Sequence, residues 1–93
     1  MPEMHFLVRW PDGTSERCYS PSLVIKDYFA PGASYELPDF VARSRTALGI
    51  ASQRVKEKYG FACGQAMLQL ERIESAARAF DAAARVTVEA FEE

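Results

Sequence analysis

The chain has 93 residues, 48% of them hydrophobic and 26% charged, and its 11 Lys and Arg against 13 Asp and Glu leave a net charge of −2. No apolar run approaches the ~20 residues of a membrane-spanning helix, and the acidic balance lacks the basic face of a nucleic-acid binder. The only two cysteines, Cys18 and Cys63, are too few for a disulfide scaffold and read as free thiols. A chain of this length has room for one core and is expected to form a single α+β domain over residues 1–93. The stretch from Glu3 follows a strand pattern rather than a basic segment leading into an apolar one, so the expected location is the cytoplasm. Neither nucleic acid nor membrane is expected as a partner, and no cofactor or metal is implied.

Met4 to Trp10 and Ser15 to Ser20 alternate as two strands around Pro11-Asp12-Gly13-Thr14. Asp-Gly between such runs predicts a two-residue hairpin turn, because Gly reaches φ > 0 without a Cβ clash. That register sets Arg9 opposite Glu16, Leu7 opposite Cys18 and Phe6 opposite Tyr19. One face then carries Met4, Phe6, Val8, Trp10 and Tyr19, and should be covered by helices; the other carries His5, Leu7, Arg9, Glu16 and Cys18. Ser20-Pro21 reads as N-cap and first helical residue of a short helix through Leu23, Val24 and Asp27, ending near Ala30 before Pro31-Gly32. A β continuation through Leu23-Val24-Ile25 is the alternative. Ala30 to Leu37 reads as a loop.

Pro38 opens a long helix to Tyr59, with Gly60 suited to the position after its end and Lys56 and Lys58 to its negative pole. Phe40, Ser44, Ala47, Leu48, Ala51, Val55 and Tyr59 share one helical face. A second long helix runs from Ala62 or Cys63 to near Asp81, with the stripe Ala66, Leu70, Ile73, Ala77 and Phe80. The short break at Gly60-Phe61 implies an antiparallel pair. Ala84 to Phe91 is the last strand, with Val86, Val88 and Ala90 inward and Arg85, Thr87 and Glu89 outward. The order ββ(α)ααβ predicts an α+β fold: a three-stranded sheet with the helices on one face.

No catalytic residue is assigned. Cys63 is the one candidate: it lies where a helix begins, and the unpaired N–H groups there favour a thiolate. Packing as a small hydrophobe is the simpler reading. The single histidine, His5, has nothing to place it beside Cys63, and Cys18, Cys63 and His5 lack the spacing of a zinc module. Glu71 and Glu74 fit a solvated helix face, with Glu74 and Arg78 as an i,i+4 pair. Trp10, Tyr19, Tyr28, Phe29 and Tyr35 could line a small-ligand pocket beneath the Ala30 to Leu37 loop, with Arg17 as an anion anchor; core burial of large aromatics competes with that reading. Opposite the core stripe of the first long helix lie Ala42, Thr46, Gly49, Ile50 and Gln53. This uncharged surface suits a second copy or a protein partner.

Five strings carry a resemblance over nearly the whole chain: Arg9-Trp10-Pro11-Asp12-Gly13, Glu16 to Val24, Ser44 to Leu48, Lys58 to Cys63 and Arg85 to Phe91. In these the chain resembles a small bacterial nitrogen-starvation response family. The resemblance implies a setting, because members are encoded beside a nitrilase, a radical-SAM enzyme, an acetyltransferase and a flavin monooxygenase, in clusters associated with nitrogen limitation and nitrile or cyanide use. It carries no catalytic residue. The expectation is a non-catalytic accessory protein that binds a partner enzyme or a small ligand, or associates with itself. The alternative is a small enzyme or intermediate carrier using a Cys63 thiolate.

Overall fold

The computed structural model describes residues 3–93. In chain order it contains β1 (Met4–Arg9), β2 (Ser15–Ser20), α1 (Ile25–Tyr28), β3 (Ser34–Glu36), α2 (Leu37–Tyr59), α3 (Gly64–Ala77) and β4 (Arg85–Glu92). The strands form one sheet of order β2-β1-β4-β3 with every neighbouring pair antiparallel. α2 packs against α3, α1, β3 and β4, while α3 reaches β2. The class is the expected α+β, but the sheet has four strands rather than three. β3 lies inside the segment expected to be a loop. Its three residues are too few to show alternation, and pairing with Arg85–Thr87 creates it. The ladder is prolonged where Gly32 N–H donates to the Val88 carbonyl (2.7 Å) and Val88 N–H to that of Ala33 (3.0 Å).

The β1–β2 turn has three residues, not two. Trp10 N–H donates to the Thr14 carbonyl (2.8 Å) and Gly13 N–H to that of Trp10 (2.9 Å). Pro11 presets the first corner of the turn and Gly13, at φ 88°, closes it. Asp12 accepts from Thr14 N–H (3.0 Å) and Thr14 Oγ1–H (2.7 Å), which hold its carboxyl below the usual range. The extra residue moves the register by one, to Phe6 opposite Cys18 and Val8 opposite Glu16. Cys18 and Glu16 therefore face the helices, and Tyr19 faces away beside His5.

A second phase change lies in β4. Val8 pairs with Val88 but Leu7 with Ala90, leaving Glu89 as the extra residue of a bulge. Val86 and Val88 point inward as expected, but beyond the bulge Phe91 packs on the core and Ala90 sits opposite Leu7 on the open face. The core joins Met4, Phe6, Val8, Ile25, Phe40, Leu48, Ile73, Val86 and Val88. Trp10 is wedged between Phe40 (centroids 5.6 Å, edge-on) and Phe80 (6.0 Å, stacked), and Phe29 touches Phe6, Tyr35 and Phe40.

The predicted stripe of α2 is buried from Phe40 to Ala51, but Val55 is half-buried and Tyr59 exposed. Length explains this: α2 has 23 residues and α3 has 14, about 35 Å against 21 Å of axis. Cys63 N–H donates to Ser52 Oγ (3.2 Å), so α3 starts level with Ser52 and the last two turns of α2 run on beyond it. α3 ends at Ala77 rather than Asp81, because Arg78, Ala79 and Phe80 bond to carbonyls three residues back, tightening the chain into turns. α1 is one turn starting at Ile25. The Ser20 hydroxyl donates to the Ser22 carbonyl (2.7 Å) and accepts its N–H (3.3 Å), which turns the chain locally instead of capping a helix at Pro21. Among the described residues, no helix is long and apolar enough to cross a membrane.

Candidate functional site

The overhang of α2 creates the most distinctive surface. Gly60, at φ 88°, ends the helix with its N–H on the Lys56 carbonyl (2.8 Å) and reverses the chain. At this reversal Phe61 is 69% exposed and Tyr59 52%, and on the first turns of α3 Leu68 is 57% exposed and Met67 38%. Met67 and Leu68 are excluded from the core by helical geometry, since Ala66, Gln69 and Ile73 take the inward positions of α3. The last turns of α2 also carry three cations and one exposed anion, Glu57. Arg54, Lys56 and Lys58 enter none of the ion pairs among the described residues. Arg54 Nη1 donates to Ser22 Oγ (2.9 Å), and Lys58 Nζ lies 5.6 Å from the Tyr59 ring centroid.

Both thiols are free. Cys63 is the half-buried residue before the first turn of α3, packed on the core. Cys18 is fully buried on the helix side of the sheet, where burial and then the Glu16 carboxylate push its thiol up. His5 lies on the other side of the sheet against Tyr19 (5.7 Å). Among the described residues, no three or more His, Cys, Asp or Glu are gathered to hold a metal ion. Glu74 reaches across to Arg45 of α2 (2.6 Å) instead of pairing with Arg78.

The predicted aromatic set is divided. Trp10 and Phe29 are core residues; Tyr28 and Tyr35 are half-buried against them. Arg43 ties this side together, donating to the Tyr28 carbonyl (2.7 Å) and to Asp39 (3.0 Å) with its guanidinium 4.9 Å from the Tyr35 ring centroid. The Tyr35 hydroxyl accepts Ala30 N–H (2.9 Å). Tyr19 and Arg17 lie on the open face, where Arg17 pairs with Glu92 (2.6 Å). The one-residue change of register separates them from the other aromatics. On α2, Ala42, Thr46, Gly49 and Gln53 are exposed and Ile50 is half-buried.

Two features escaped sequence reasoning. Gln69, buried on α3, accepts Tyr19 N–H at Oε1 (3.0 Å) and donates from Nε2 to Glu16 (3.1 Å), whose other oxygen accepts Trp10 Nε1–H (3.1 Å). It thereby covers a backbone donor on the outer strand β2. The signal was a lone amide within the apolar stripe between Ala66 and Ile73. The second feature is a groove of about 480 Å³ at the opposite end of the helix pair, lined by Leu37, Pro38, Val41, Ala77, Arg78 and Phe80 among others. No periodicity marks it, because it forms between the first turns of α2 and the turns that follow α3, and no pattern within either helix records that.

These features define a small α+β protein with a four-stranded antiparallel sheet, helices on one face and conspicuous surfaces at both ends of its helical hairpin. Residues 5–91 match the family model described as nitrogen starvation-induced protein NitG, and the chain belongs to that family. No curated protein and no solved structure matches it.

Proposed function

We propose that this NitG-family chain is a cytoplasmic, non-catalytic accessory protein of a nitrogen-acquisition pathway such as nitrile or cyanide assimilation, and that it acts by docking on a partner protein. One observation carries this reading: Tyr59 and Phe61 leave two large apolar side chains exposed at the end of the α2 overhang, and Met67 and Leu68 leave two more exposed on the first turns of α3. Exposed apolar groups of this kind, bordered by charge, mark interaction sites. The unpaired Arg54, Lys56 and Lys58 specify the partner's chemistry, an apolar recess bordered by Asp and Glu. The uncharged Ala42, Thr46, Gly49, Ile50 and Gln53 side of α2 would widen the contact toward the middle of the helix.

The test is affinity capture from nitrogen-starved cells with wild type, Phe61→Asp and Cys63→Ser proteins, the captured proteins being identified by mass spectrometry. Phe61 should behave as an anchor. Its replacement should weaken a partner carrying such an acidic recess by about tenfold or more, with thermal stability unchanged, since surface substitutions usually fall within about 0.5 kcal/mol. Equal capture by Phe61→Asp refutes docking at this end. If Cys63→Ser keeps the partner but abolishes growth on the limiting nitrogen source, the thiol carries the function and the accessory reading is wrong.

A further inference from the structure

The groove between the first turns of α2 and the end of α3 lies about 27 Å along α2 from Tyr59, taking 1.5 Å per residue from Val41. It is independent of the docking end. Its wall is mostly apolar: Leu37, Pro38 and Val41 from α2 face Ala77 and Phe80 from α3 and the turn after it. Phe80 is held in place by stacking on Trp10 (6.0 Å, 14° between planes). At about 480 Å³ the hollow falls within the roughly 300–1,000 Å³ of small-molecule sites, which combine apolar walls with a few placed polar groups.

The charges at its rim do not cancel. Arg45 and Glu74 neutralise one another through two bonds to one carboxylate oxygen (2.6 and 3.1 Å). Among the carboxylates outside the lining, Asp39 pairs with Arg43 (3.0 Å), Asp81 accepts Ala83 N–H (2.9 Å) while keeping its charge, and Glu36 is exposed. Arg78 remains. No ion pair among the described residues engages its side chain, so the groove presents one uncommitted guanidinium beside an apolar wall.

We propose that this groove binds a small monocarboxylate with a compact apolar body, its carboxylate on the Arg78 guanidinium and its body against Val41, Ala77 and Phe80. Guanidinium supplies a planar fork of donors matched to a carboxylate. The bound pair stays near the surface, so the hydrophobic contact supplies affinity and the charge supplies selectivity.

The probes are phenylacetate and its neutral counterpart phenylacetamide, titrated into the ¹⁵N-labelled chain and followed by amide chemical shifts. Phenylacetate should saturate, move the amides of Val41, Ala77, Phe80 and Ala82, and bind about threefold to fivefold more tightly than the amide, the gain expected of an exposed ion pair. Arg78→Gln, a substitution at an exposed position, should bring the two probes to parity. Val41→Trp should fill the hollow and remove both, with circular dichroism confirming the fold. Equal affinity for phenylacetamide in the wild type would assign the groove to an uncharged occupant, such as an apolar side chain of a protein partner, and overturn the proposal. Shifts that map elsewhere, or no saturation by phenylacetate, overturn it as well.

Discussion

Replacing Gln69 by Glu tests the account of the β2 edge, because the substitution keeps the shape and removes one donor. Gln69 is 5% exposed, and its Nε2 lies 3.1 Å from a Glu16 oxygen. In Gln69→Glu the introduced carboxyl can still accept Tyr19 N–H, but its second oxygen meets Glu16 with no hydrogen between them. Two unit charges at that separation repel by about 5 kcal/mol at an effective dielectric of 20. Protonating one carboxyl restores a donor. From a reference value near 4.3 that costs about 3.7 kcal/mol at pH 7 and about 0.5 at pH 4.5, and this cost caps the penalty. The expected destabilisation is therefore about 2–4 kcal/mol at pH 7 and below about 1 kcal/mol at pH 4.5. The sign follows from proton binding: the folded variant retains a proton that the unfolded chain releases above about pH 4.3, so its stability relative to wild type falls as pH rises. Urea unfolding followed by fluorescence of Trp10, the single tryptophan, measures this at both pH values. Glu16→Gln combined with Gln69→Glu exchanges donor and acceptor and should recover stability at pH 7 to within about 1 kcal/mol. A loss that does not change with pH, or an exchange that rescues nothing, refutes the reasoning.

Three further outcomes are expected. Ser44 Oγ is the one buried side-chain polar atom without a hydrogen-bond partner among the described residues, so Ser44→Ala should stabilise the protein by about 1 kcal/mol in the same assay. Iodoacetamide should modify half-buried Cys63 in the native protein and spare Cys18, whose thiol is buried and pushed up beside Glu16; peptide mass analysis showing equal rates would contradict that burial. The Tyr19 phenol is pushed up to about 12 by burial, and further by its bond to Glu3 (3.1 Å) and the charge there. Ultraviolet titration should show a late phenol ionisation that Tyr19→Phe removes. Because the fold holds that proton more tightly, the associated stability is full below pH 10 and is lost as pH rises toward 12.

Long-period features of the fold were legible in the sequence. The 22 residues from Pro38 to Tyr59 carry a helical stripe, a proline start and a glycine stop, and α2 spans Leu37–Tyr59. What failed was parity. Asp12-Gly13 marked the turn, but Pro11 added one residue to it, and that exchanged the faces of Cys18 and Tyr19. The Glu89 bulge did the same to Ala90 and Phe91. A strand's side-chain period is two, so one uncounted residue inverts everything after it. The candidate aromatic site inherited this error. Exposure of Tyr59 was illegible for another reason, since it depends on where α3 begins, and no pattern within α2 records that.

The sheet order β2-β1-β4-β3 has a consequence for biosynthesis. β4 occupies an interior position, and its partner β1 precedes it by about eighty residues of sequence. While residues 85–92 remain inside the ribosome, β1 has only β2 beside it and β3 has no neighbour at all, and an isolated two-stranded hairpin is marginal in water. The nascent chain must therefore carry its helices without a finished platform until β4 emerges. Cleavage ahead of Arg85 would remove the middle of the sheet and leave β3 with nothing to pair.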